Sequence, residues 1–231
     1  MSIFCCPSCQ KPLCREERRL VCPAGHSFDV ARSGYVNLLL SQQTGRKHHG
    51  DDKRMVKARS AFLERGYYDP MRQELIKQGL AAARRGMTVL DAGCGEGYYL
   101  SQLSWVPERW GIDISRDAVR YAAARDRGAH WLTATAAHLP FADGGFDCVL
   151  SMFALTAGAE FARVLRPGGI FLIVNEVDGE NPRDSRWLSV IDGMRIYNGD
   201  QLARFLTEAG FSKVIMDKDA KKHWLCALAI R

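Results

Sequence analysis

Short apolar runs alternate with amphipathic stretches along most of the chain. From residue 87 onward, five such runs predict buried strands at 87–91, 109–114, 129–133, 146–151 and 169–175. Most of the segments between them have helical spacing, so the pattern predicts an α/β domain built on a parallel sheet. Residues 214–216 and 224–230 predict a closing hairpin that would bring the sheet to seven strands, one of them antiparallel near the edge.

The segments that flank these strands carry weaker patterns. Residues 34–40 form a strand-like apolar run, and from residue 51 the apolar spacing becomes helical until Gly66. A second helix is predicted over 69–85, with Pro70 in its first turn. Residues 165–169 predict the end of a helix and a turn before the fifth strand. We therefore divide the chain into an amino-terminal module (1–40), a polar, basic linker (41–50) and an α/β domain (51–231).

Three glycines at alternate positions follow the first of these strands. Asp91 ends the strand, and Gly93, Gly95 and Gly97 come next, with Glu96 among them. So bare a turn lets a ligand lie against the backbone at the carboxyl edge of a sheet. Dinucleotide sites use G-x-G-x-x-G, whose third glycine falls one residue later, and no Lys-Ser/Thr follows as in a P-loop. The pattern resembles the first motif of class I S-adenosylmethionine-dependent methyltransferases.

A second acid suits the same ligand. Asp113 ends the next strand, just before Ile114, about 20 residues beyond the glycines, where an acid accepts both ribose hydroxyls. We therefore predict a Rossmann-like class I methyltransferase domain that binds S-adenosylmethionine through these residues. The alternative is a glycine-rich turn in an α/β domain that binds no nucleotide.

Composition sets broad limits on the class of protein. The chain has 231 residues, 47% of them apolar and 25% charged, enough for one α/β domain and a small appendage. No apolar run approaches the ~18 residues that span a bilayer, and the amino terminus lacks the apolar core of a signal peptide. We expect a cytoplasmic protein with no membrane association.

Positive charge is concentrated in one segment, although the net charge is only +6. Within 14 residues lie Arg46, Lys47, Lys53, Arg54, Lys57 and Arg59, with His48 and His49 among them and only Asp51 and Asp52 opposing. Such a cluster suits a phosphate backbone. A solvated helix face beside a linker would explain the same charges equally well.

Five of the eight cysteines fall within the first 22 residues. Four metal-ligand types follow the spacing C-x2-C-x12-C-x3-H, namely Cys6, Cys9, Cys22 and His26. Two tight turns can present such a set tetrahedrally to zinc, and four protein ligands leave no open position, so we predict a structural Zn²⁺. Disulfides or a redox Cys-x-x-Cys lack the supporting context. Cys5 could replace Cys6 only by altering the C-x2-C spacing.

These motifs together resemble one family, the bacterial 23S rRNA (guanine-N1)-methyltransferases of the RlmA/RrmA type. The resemblance covers about residues 4–170. It rests on the cysteine–histidine knuckle, on Gly34-Tyr35-Val36-Asn37-Leu38, on Arg59-Ser60-Ala61-Phe62-Leu63, on Gly66-Tyr67-Tyr68 and on Cys94-Gly95-Glu96-Gly97-Tyr98-Tyr99. It implies an enzyme that grips an rRNA hairpin between the zinc module and the catalytic domain; homodimerisation stays open.

By the same resemblance, individual residues acquire expected roles. Cys6, Cys9, Cys22 and His26 match the zinc ligands of the family. Tyr68 matches an aromatic residue beside the donor, Gly95 and Glu96 match the loop around the methionine end of the donor, and Asp113 matches the ribose acid.

The last quarter of the chain departs from the family. Phe153-Ala154-Leu155 stands where the family usually has Tyr-Ala-Pro, and Asn181-Pro182-Arg183-Asp184 lies where a donor-facing histidine is expected. Recognition of the target base is therefore less well defined than donor binding. Two other functions stay open: a small-molecule methyltransferase, and a non-catalytic RNA-binding module that retains the cofactor fold.

The sequence does not single out a catalytic base. His138, Glu176 and Asp178 lie on predicted carboxyl-edge loops, where a base could take the N1 proton of guanine, but none is assigned. Cys148, inside an apolar strand, is interpreted as a core residue and not as the nucleophile of a carbon-5 methyltransferase.

Overall fold

A computed structural model describes residues 3–40, 50–70, 72–73, 86–154, 157–176, 198–218 and 224–231. The basic residues 46–49, most of the predicted second helix (69–85), Asp178 and the segment 181–184 lie outside these ranges. No helix among the described residues has the length and apolar character needed to span a membrane.

The amino-terminal part forms a small antiparallel sheet and one further strand. The sheet contains β1 (Cys14–Glu16), β2 (Arg19–Val21) and β3 (Ser27–Asp29), and the further strand is β4 (Val36–Asn37). Helix α1 (Lys53–Leu63) follows. It begins at Lys53 because the Asp52 carboxylate accepts the backbone N–H groups of Arg54 and Met55, which caps the first turn.

The rest of the chain alternates strands and helices, as the apolar pattern predicts. The strands are β5 (Thr88–Ala92), β6 (Glu108–Asp113), β7 (His130–Thr133), β8 (Phe146–Met152), β9 (Leu165–Glu176), β10 (Lys213–Lys218) and β11 (Trp224–Ile230). The helices are α2 (Arg116–Arg125), α3 (Gly158–Val164) and α4 (Gly199–Glu208). A short 3-10 turn covers Leu100–Gln102.

One eight-stranded sheet, in the order β10-β11-β9-β8-β5-β6-β7-β4, organises the domain. β5 to β9 are parallel, whereas β11 runs antiparallel to both β9 and β10. Seven of these strands are those predicted from the sequence. The eighth is β4, which pairs in parallel with β7 through Val36 opposite Leu132 and Asn37 opposite Thr133.

The predicted turn at 165–169 is wrong in one respect. Helix α3 ends at Val164, and β9 already begins at Leu165, which pairs with Phe146 across a register shift. The glycines of the segment form an irregularity inside the strand, since Gly168 has φ +77° and its N–H bonds to the carbonyl of Arg231. A Pro-Gly-Gly sequence resembles a turn, but here pairing on both sides keeps it in the sheet.

The amino-terminal module covers one face of the sheet. Residues 134–145, between β7 and β8, contain no helix, and the module packs in that place. The Phe4 ring lies edge-on to Trp110 with centroids 4.6 Å apart, and the Cys5 N–H bonds to the carbonyl of Pro140 at 2.9 Å. Buried Leu13 and Leu20 belong to the same apolar core as the sheet, α3 and α4. The module and the sheet therefore share one core.

The opposite face carries α2 and a second core around Trp131. The Trp131 ring lies against β6 at Gly111, where a Cβ atom would come within 2.4 Å of the ring. This position therefore requires glycine for reasons of packing rather than backbone conformation.

We expect Gly111→Ala to lower the free energy of unfolding by about 1–3 kcal/mol, because the added methyl group overpacks the contact with Trp131. Urea unfolding followed by circular dichroism measures the change. Gly199→Ala is the matched control: its new methyl group would meet only Met216 at 3.8 Å, and we expect a change within about 0.5 kcal/mol. Equal stability of the two variants would contradict the packing argument.

Candidate functional site

Four metal-ligand side chains come together in the amino-terminal module. The ligand atoms of Cys6, Cys9, Cys22 and His26 all lie within 4.8 Å of one another. The Cys9 and Cys22 sulfurs are 3.6 Å apart, and the His26 Nδ1 atom is 3.3 Å from the Cys22 sulfur and 3.5 Å from that of Cys6. Ligands of a tetrahedral zinc ion with bonds of about 2.0–2.3 Å have similar separations. The donor set and its geometry therefore fit Zn²⁺.

Two tight turns position these ligands. Cys6 accepts the Gln10 N–H through its carbonyl, while Cys22 accepts that of Gly25, whose φ is +83°. Burial acts to raise the pKa of the Cys22 thiol, but hydrogen bonds from the His26 and Ala24 backbone outweigh it and lower the pKa to about 6. These donors favour a thiolate, the form that binds metal.

The two other cysteines of the module lie apart from this cluster. Cys5 is buried against the 140–143 loop, where the charges of Arg163 and Asp143 act on it, and burial raises the pKa of its thiol. Cys14 is exposed on β1. The structure therefore brings together the four side chains singled out by spacing and neither of their neighbours.

At the carboxyl edge of the sheet, the turn after β5 is too crowded for a side chain at Gly93 and Gly97, whereas Gly95 has space but a left-handed backbone. Gly93, Gly95 and Gly97 all have positive φ, at +90°, +53° and +79°. A Cβ atom at Gly93 would lie 2.3 Å from that of Ala154, and one at Gly97 would lie 2.6 Å from Trp131. The turn thus combines a left-handed backbone with close approach, which explains the three glycines.

Three carboxyl groups surround this turn, the buried Asp91 and Glu96 and the half-buried Asp113. Asp91 is fully buried, and within the described part of the chain no donor reaches either of its oxygens. Burial, followed by the nearby charge of Asp113, raises the pKa of Asp91 to about 8. Burial also raises the pKa of Glu96, against the opposing charge of Arg59, and one oxygen of Glu96 has no donor among the described residues.

Asp113 holds the loops on either side of the site. Its Oδ2 atom accepts the Gly95 N–H at 2.9 Å, and Oδ1 accepts the Ser115 N–H at 2.7 Å. Burial raises its pKa in spite of these hydrogen bonds. A carboxylate has about four lone-pair sites, so acceptor capacity for ribose hydroxyls is left. Ile114 follows at the rim, next to Gly50, where an added Cβ atom would come within 2.9 Å of it.

These orphaned oxygens fit the donor that the sequence predicts. Buried polar groups without partners are costly, and they normally find them in a ligand or in water. S-adenosylmethionine carries ammonium, amino and hydroxyl donors and a sulfonium charge, which suit carboxylates that lack donors. The residues at the end of β5 and β6 therefore fit this group.

Sequence reasoning missed several polar residues of this edge. Arg59 of α1 forms an ion pair with Asp51, and its Nε lies 3.4 Å from Glu96 Oε2. The Thr133 and Ser151 hydroxyls, near the carboxyl ends of β7 and β8, are buried without partners among the described residues. In the sequence Arg59 is one cation of a cluster and part of a motif shared with the family, but neither pattern indicates a contact with Glu96, and the two hydroxyls lie in apolar runs that give no signal.

Aromatic side chains border the same edge. The Tyr68 ring lies 5.6 Å from Phe153, at the carboxyl end of β8. Tyr99 is largely buried, and burial together with the neighbouring Tyr68 raises the pKa of its hydroxyl. Phe153 has φ +52°, a left-handed conformation that is strained for a phenylalanine.

The side chains considered for proton transfer fall in different places. The exposed His138 ring lies 3.1 Å from the Gln10 amide, at the junction with the amino-terminal module. Asp178 lies outside the described residues, and Glu176 is described only through its backbone pairing with Trp224. Cys148 is a core residue as predicted, because it is buried and burial raises its pKa to about 12.

Comparisons with known proteins agree with both parts of this arrangement. Residues 4–47 match the amino-terminal zinc ribbon of RlmA, and residues 90–173 match a methyltransferase domain. A protein of Bacillus subtilis named as a 23S rRNA (guanine-N1)-methyltransferase is 31% identical over 97% of this chain and 84% of its own length. This chain belongs to the family of 23S rRNA (guanine-N1)-methyltransferases.

Two further members of the family are longer than this chain. The relatives from Micromonospora griseorubida and Streptomyces fradiae are 41% and 39% identical over 73% of the chain, which spans only 64% and 61% of their length. The Streptomyces protein is named as a guanine-748 N1-methyltransferase. This chain therefore spans less than two thirds of the length of these two relatives.

A superposition on a solved structure supports the fold independently of the sequence matches. A SAM-dependent methyltransferase from Aquifex aeolicus superposes with a TM-score of 0.57 over 78% of this chain and 98% of its own, at 22% identity. The methyltransferase fold that the glycine motif predicts is confirmed. The roles of single residues in this family member stay predictions.

We expect Cys22→Ser to lower the zinc content of the purified protein and its free energy of unfolding, on the order of 3 kcal/mol or more, because the metal stabilises a module that shares its core with the sheet. Elemental analysis and thermal unfolding measure the two effects. Cys14→Ser, an exposed cysteine of the same module, is the matched control and should keep both values. Full zinc content in Cys22→Ser would contradict the ligand assignment.

We expect the cofactor-free protein to lose stability relative to Asp91→Asn as the pH rises from 5 to 8. With a pKa of about 8 in the folded protein and about 3.8 in the unfolded chain, Asp91 holds a proton in this range only when folded. The free energy of unfolding of Asp91→Asn minus that of the wild type should therefore rise by up to about 1.4 kcal/mol per pH unit. Urea unfolding at several pH values measures it. Parallel curves over this range would refute a protonated Asp91.

Proposed function

We propose that this protein is a S-adenosylmethionine-dependent methyltransferase that acts on N1 of a guanine in 23S rRNA. One observation carries the proposal: a Cys3His cluster and a donor-type glycine turn lie on one shared core, as the family pairs them. The names of the relatives supply the acceptor. A cytoplasmic location and an RNA partner follow from this choice of substrate.

We assign donor binding to the residues that border the turn after β5. The backbone of Gly93, Gly95 and Gly97 gives the donor close access, and Asp91, Glu96 and Asp113 supply acceptors. Tyr68 and Ile114 complete the proposed donor site at its rim. The buried carboxylates favour a ligand with positive charge and several hydrogen-bond donors.

The donor supplies an electrophilic methyl group with a neutral thioether as its leaving group. The protein therefore needs mainly to align the acceptor nitrogen with the methyl carbon and to exclude water. Guanine N1 carries a proton at neutral pH, so transfer also requires that this proton leave or that charge at O6 be stabilised. We leave the base unassigned, because His138 lies at the junction with the amino-terminal module and the side chains of Glu176 and Asp178 lie outside the described part of the structure.

The zinc module contributes structure and surface rather than chemistry. Its four side-chain ligands leave no position for a substrate or a reactive water. We infer that the module and the catalytic domain form two sides of an RNA-binding surface. In this proposal residues 1–40 are the zinc module, 41–50 the basic linker and 51–231 the catalytic domain, which share a core but differ in role.

We expect the purified protein to transfer a labelled methyl group from S-adenosylmethionine to 23S rRNA that lacks the modification. Mass spectrometry of the digested RNA should show one N1-methylguanine per molecule. Gly93→Ala is the matched donor-site variant: the added methyl group would collide with Ala154, so methylation should fall by at least about 100-fold and donor binding with it.

Each alternative function predicts a different result. Donor binding without transfer to naked rRNA or to free 50S particles would contradict the proposal. Salt-sensitive RNA binding without turnover would point to a non-catalytic RNA-binding protein. Methylation of small acceptors alone would point to a metabolite enzyme.

A further inference from the structure

Four aromatic rings form a continuous series from the protein surface to the carboxyl edge of the sheet, where we place the donor site. Tyr67 stacks on Phe62 with centroids 5.3 Å apart and planes 26° from parallel. Phe62 meets Tyr68 at 5.8 Å, and Tyr68 meets Phe153 at 5.6 Å. Of these rings, only Tyr68 belongs to the proposed donor site. The two outer rings, Phe62 and Tyr67, have no role in donor binding.

The outer two rings are unusually open to solvent. Phe62 is 44% exposed and Tyr67 is 64% exposed. Single exposed apolar residues are common, but adjoining exposed rings mark an interaction site more often. Met55, two turns before Phe62 on the same face of α1, is 48% exposed and extends the patch. We name Phe62 and Tyr67 the aromatic platform.

Helix α1, which carries Phe62 of the aromatic platform, is strongly cationic. α1 contains Lys53, Arg54, Lys57 and Arg59 and no acid. The charge of Arg59 is shared with Asp51 and Glu96, whereas Lys53, Arg54 and Lys57 are exposed. Of the three exposed cations, Arg54 projects within about 80° of Phe62 around the axis of α1, whereas Lys53 and Lys57 project about 140–180° away from it. An apolar ring surface with a cation on the same side of the helix is complementary to a polyanion that also presents flat apolar groups. Among macromolecules, unpaired nucleic acid has both properties.

The inner end of the series reaches the place where an acceptor base must approach. Phe153 follows the last residue of β8, and its N–H bonds to the Val174 carbonyl at 2.8 Å, which fixes the residue in its left-handed conformation. Its neighbour Ala154 occupies the space that Gly93 leaves open. The series therefore ends beside the glycine turn that we assign to the donor.

We propose that Phe62 and Tyr67 form a stacking platform for unpaired RNA bases that flank the acceptor base. The phosphates of the same strand would lie against Arg54, the exposed cation on the same side of α1. This inference rests on the proposed RNA methyltransferase function and adds to it the surface that receives the strand. A fully paired duplex hides its base faces and offers the platform no partner, so the preferred RNA has an open loop.

Binding of two synthetic RNAs tests the platform: a hairpin with an unpaired loop, and a fully paired duplex of equal length. In fluorescence anisotropy, Phe62→Ala and Tyr67→Ala should each weaken hairpin binding by roughly 5- to 150-fold, since base–aromatic stacking contributes about 1–3 kcal/mol per base. Duplex binding should stay within twofold of wild type. Tyr67→Phe keeps the ring and should bind the hairpin as wild type does.

Two controls separate stacking from charge and from folding. Trp105→Ala removes a ring that is 51% exposed just before β6, at the opposite edge of the sheet, and should leave hairpin binding unchanged. Arg54→Gln should weaken hairpin and duplex binding alike and reduce the salt slope by about 0.7, the value expected for one phosphate contact. All four alanine and glutamine variants should bind S-adenosylmethionine as wild type does, as measured by calorimetry. Their thermal unfolding should also match that of the wild type.

The inference is overturned if both platform variants bind the hairpin as tightly as wild type, or if they lose hairpin and duplex binding equally. A third result would also overturn the inference: platform variants that bind RNA as wild type does but lose an ability of the wild type to methylate a free nucleoside. The platform would then serve a small acceptor. A wild-type protein that methylates rRNA, with unaffected platform variants, refutes the platform alone. A wild-type protein that neither binds nor methylates RNA refutes the proposed function as well.

Discussion

The carboxyl edge of this sheet depends on a steric constraint: the turn after β5 has no space for a side chain at Gly93 or at Gly97. Gly93 faces Ala154, and Gly97 faces Trp131, at distances that exclude a Cβ atom. The turn can therefore approach both neighbours, and this brings the ends of β5, β6 and β8 close together. The same compactness buries Asp91 and Glu96 without sufficient partners, and so creates a demand for a ligand with hydrogen-bond donors.

The second determinant of the architecture is that the zinc module and the sheet share a core. Leu13, Leu20 and Phe4 pack with Trp110 and Phe141 in the place that a helix between β7 and β8 would fill. A module of this size cannot bury enough apolar surface alone, so it gains stability from the metal on one side and from the sheet on the other. Metal binding and the folding of the catalytic domain are thereby coupled.

The sequence predicts those features that depend on local spacing. The glycine turn, the strands β5 to β8 and the metal-ligand quartet each follow from a short pattern with one physical interpretation. The start of β9 was predicted wrongly, because Leu165 is held by pairing with Phe146, a contact 19 residues away. Two further features could not be predicted either: the contact of Arg59 with Glu96 and the link from Tyr68 to Phe153 in the aromatic series. Both join residues far apart in the sequence, and no local pattern indicates that they meet in the fold.

The pairing of β4 with β7 has a consequence for the behaviour of the protein outside its function. Without β4, the backbone N–H and C=O groups of β7 would form an open edge, and open edges recruit strands from other molecules. Val36 and Asn37 close that edge, and the carbonyl of Thr133 accepts the next N–H, from Leu38. Because β4 belongs to the same amino-terminal module as the four metal-ligand side chains, the segment that supplies the candidate metal site also completes the sheet.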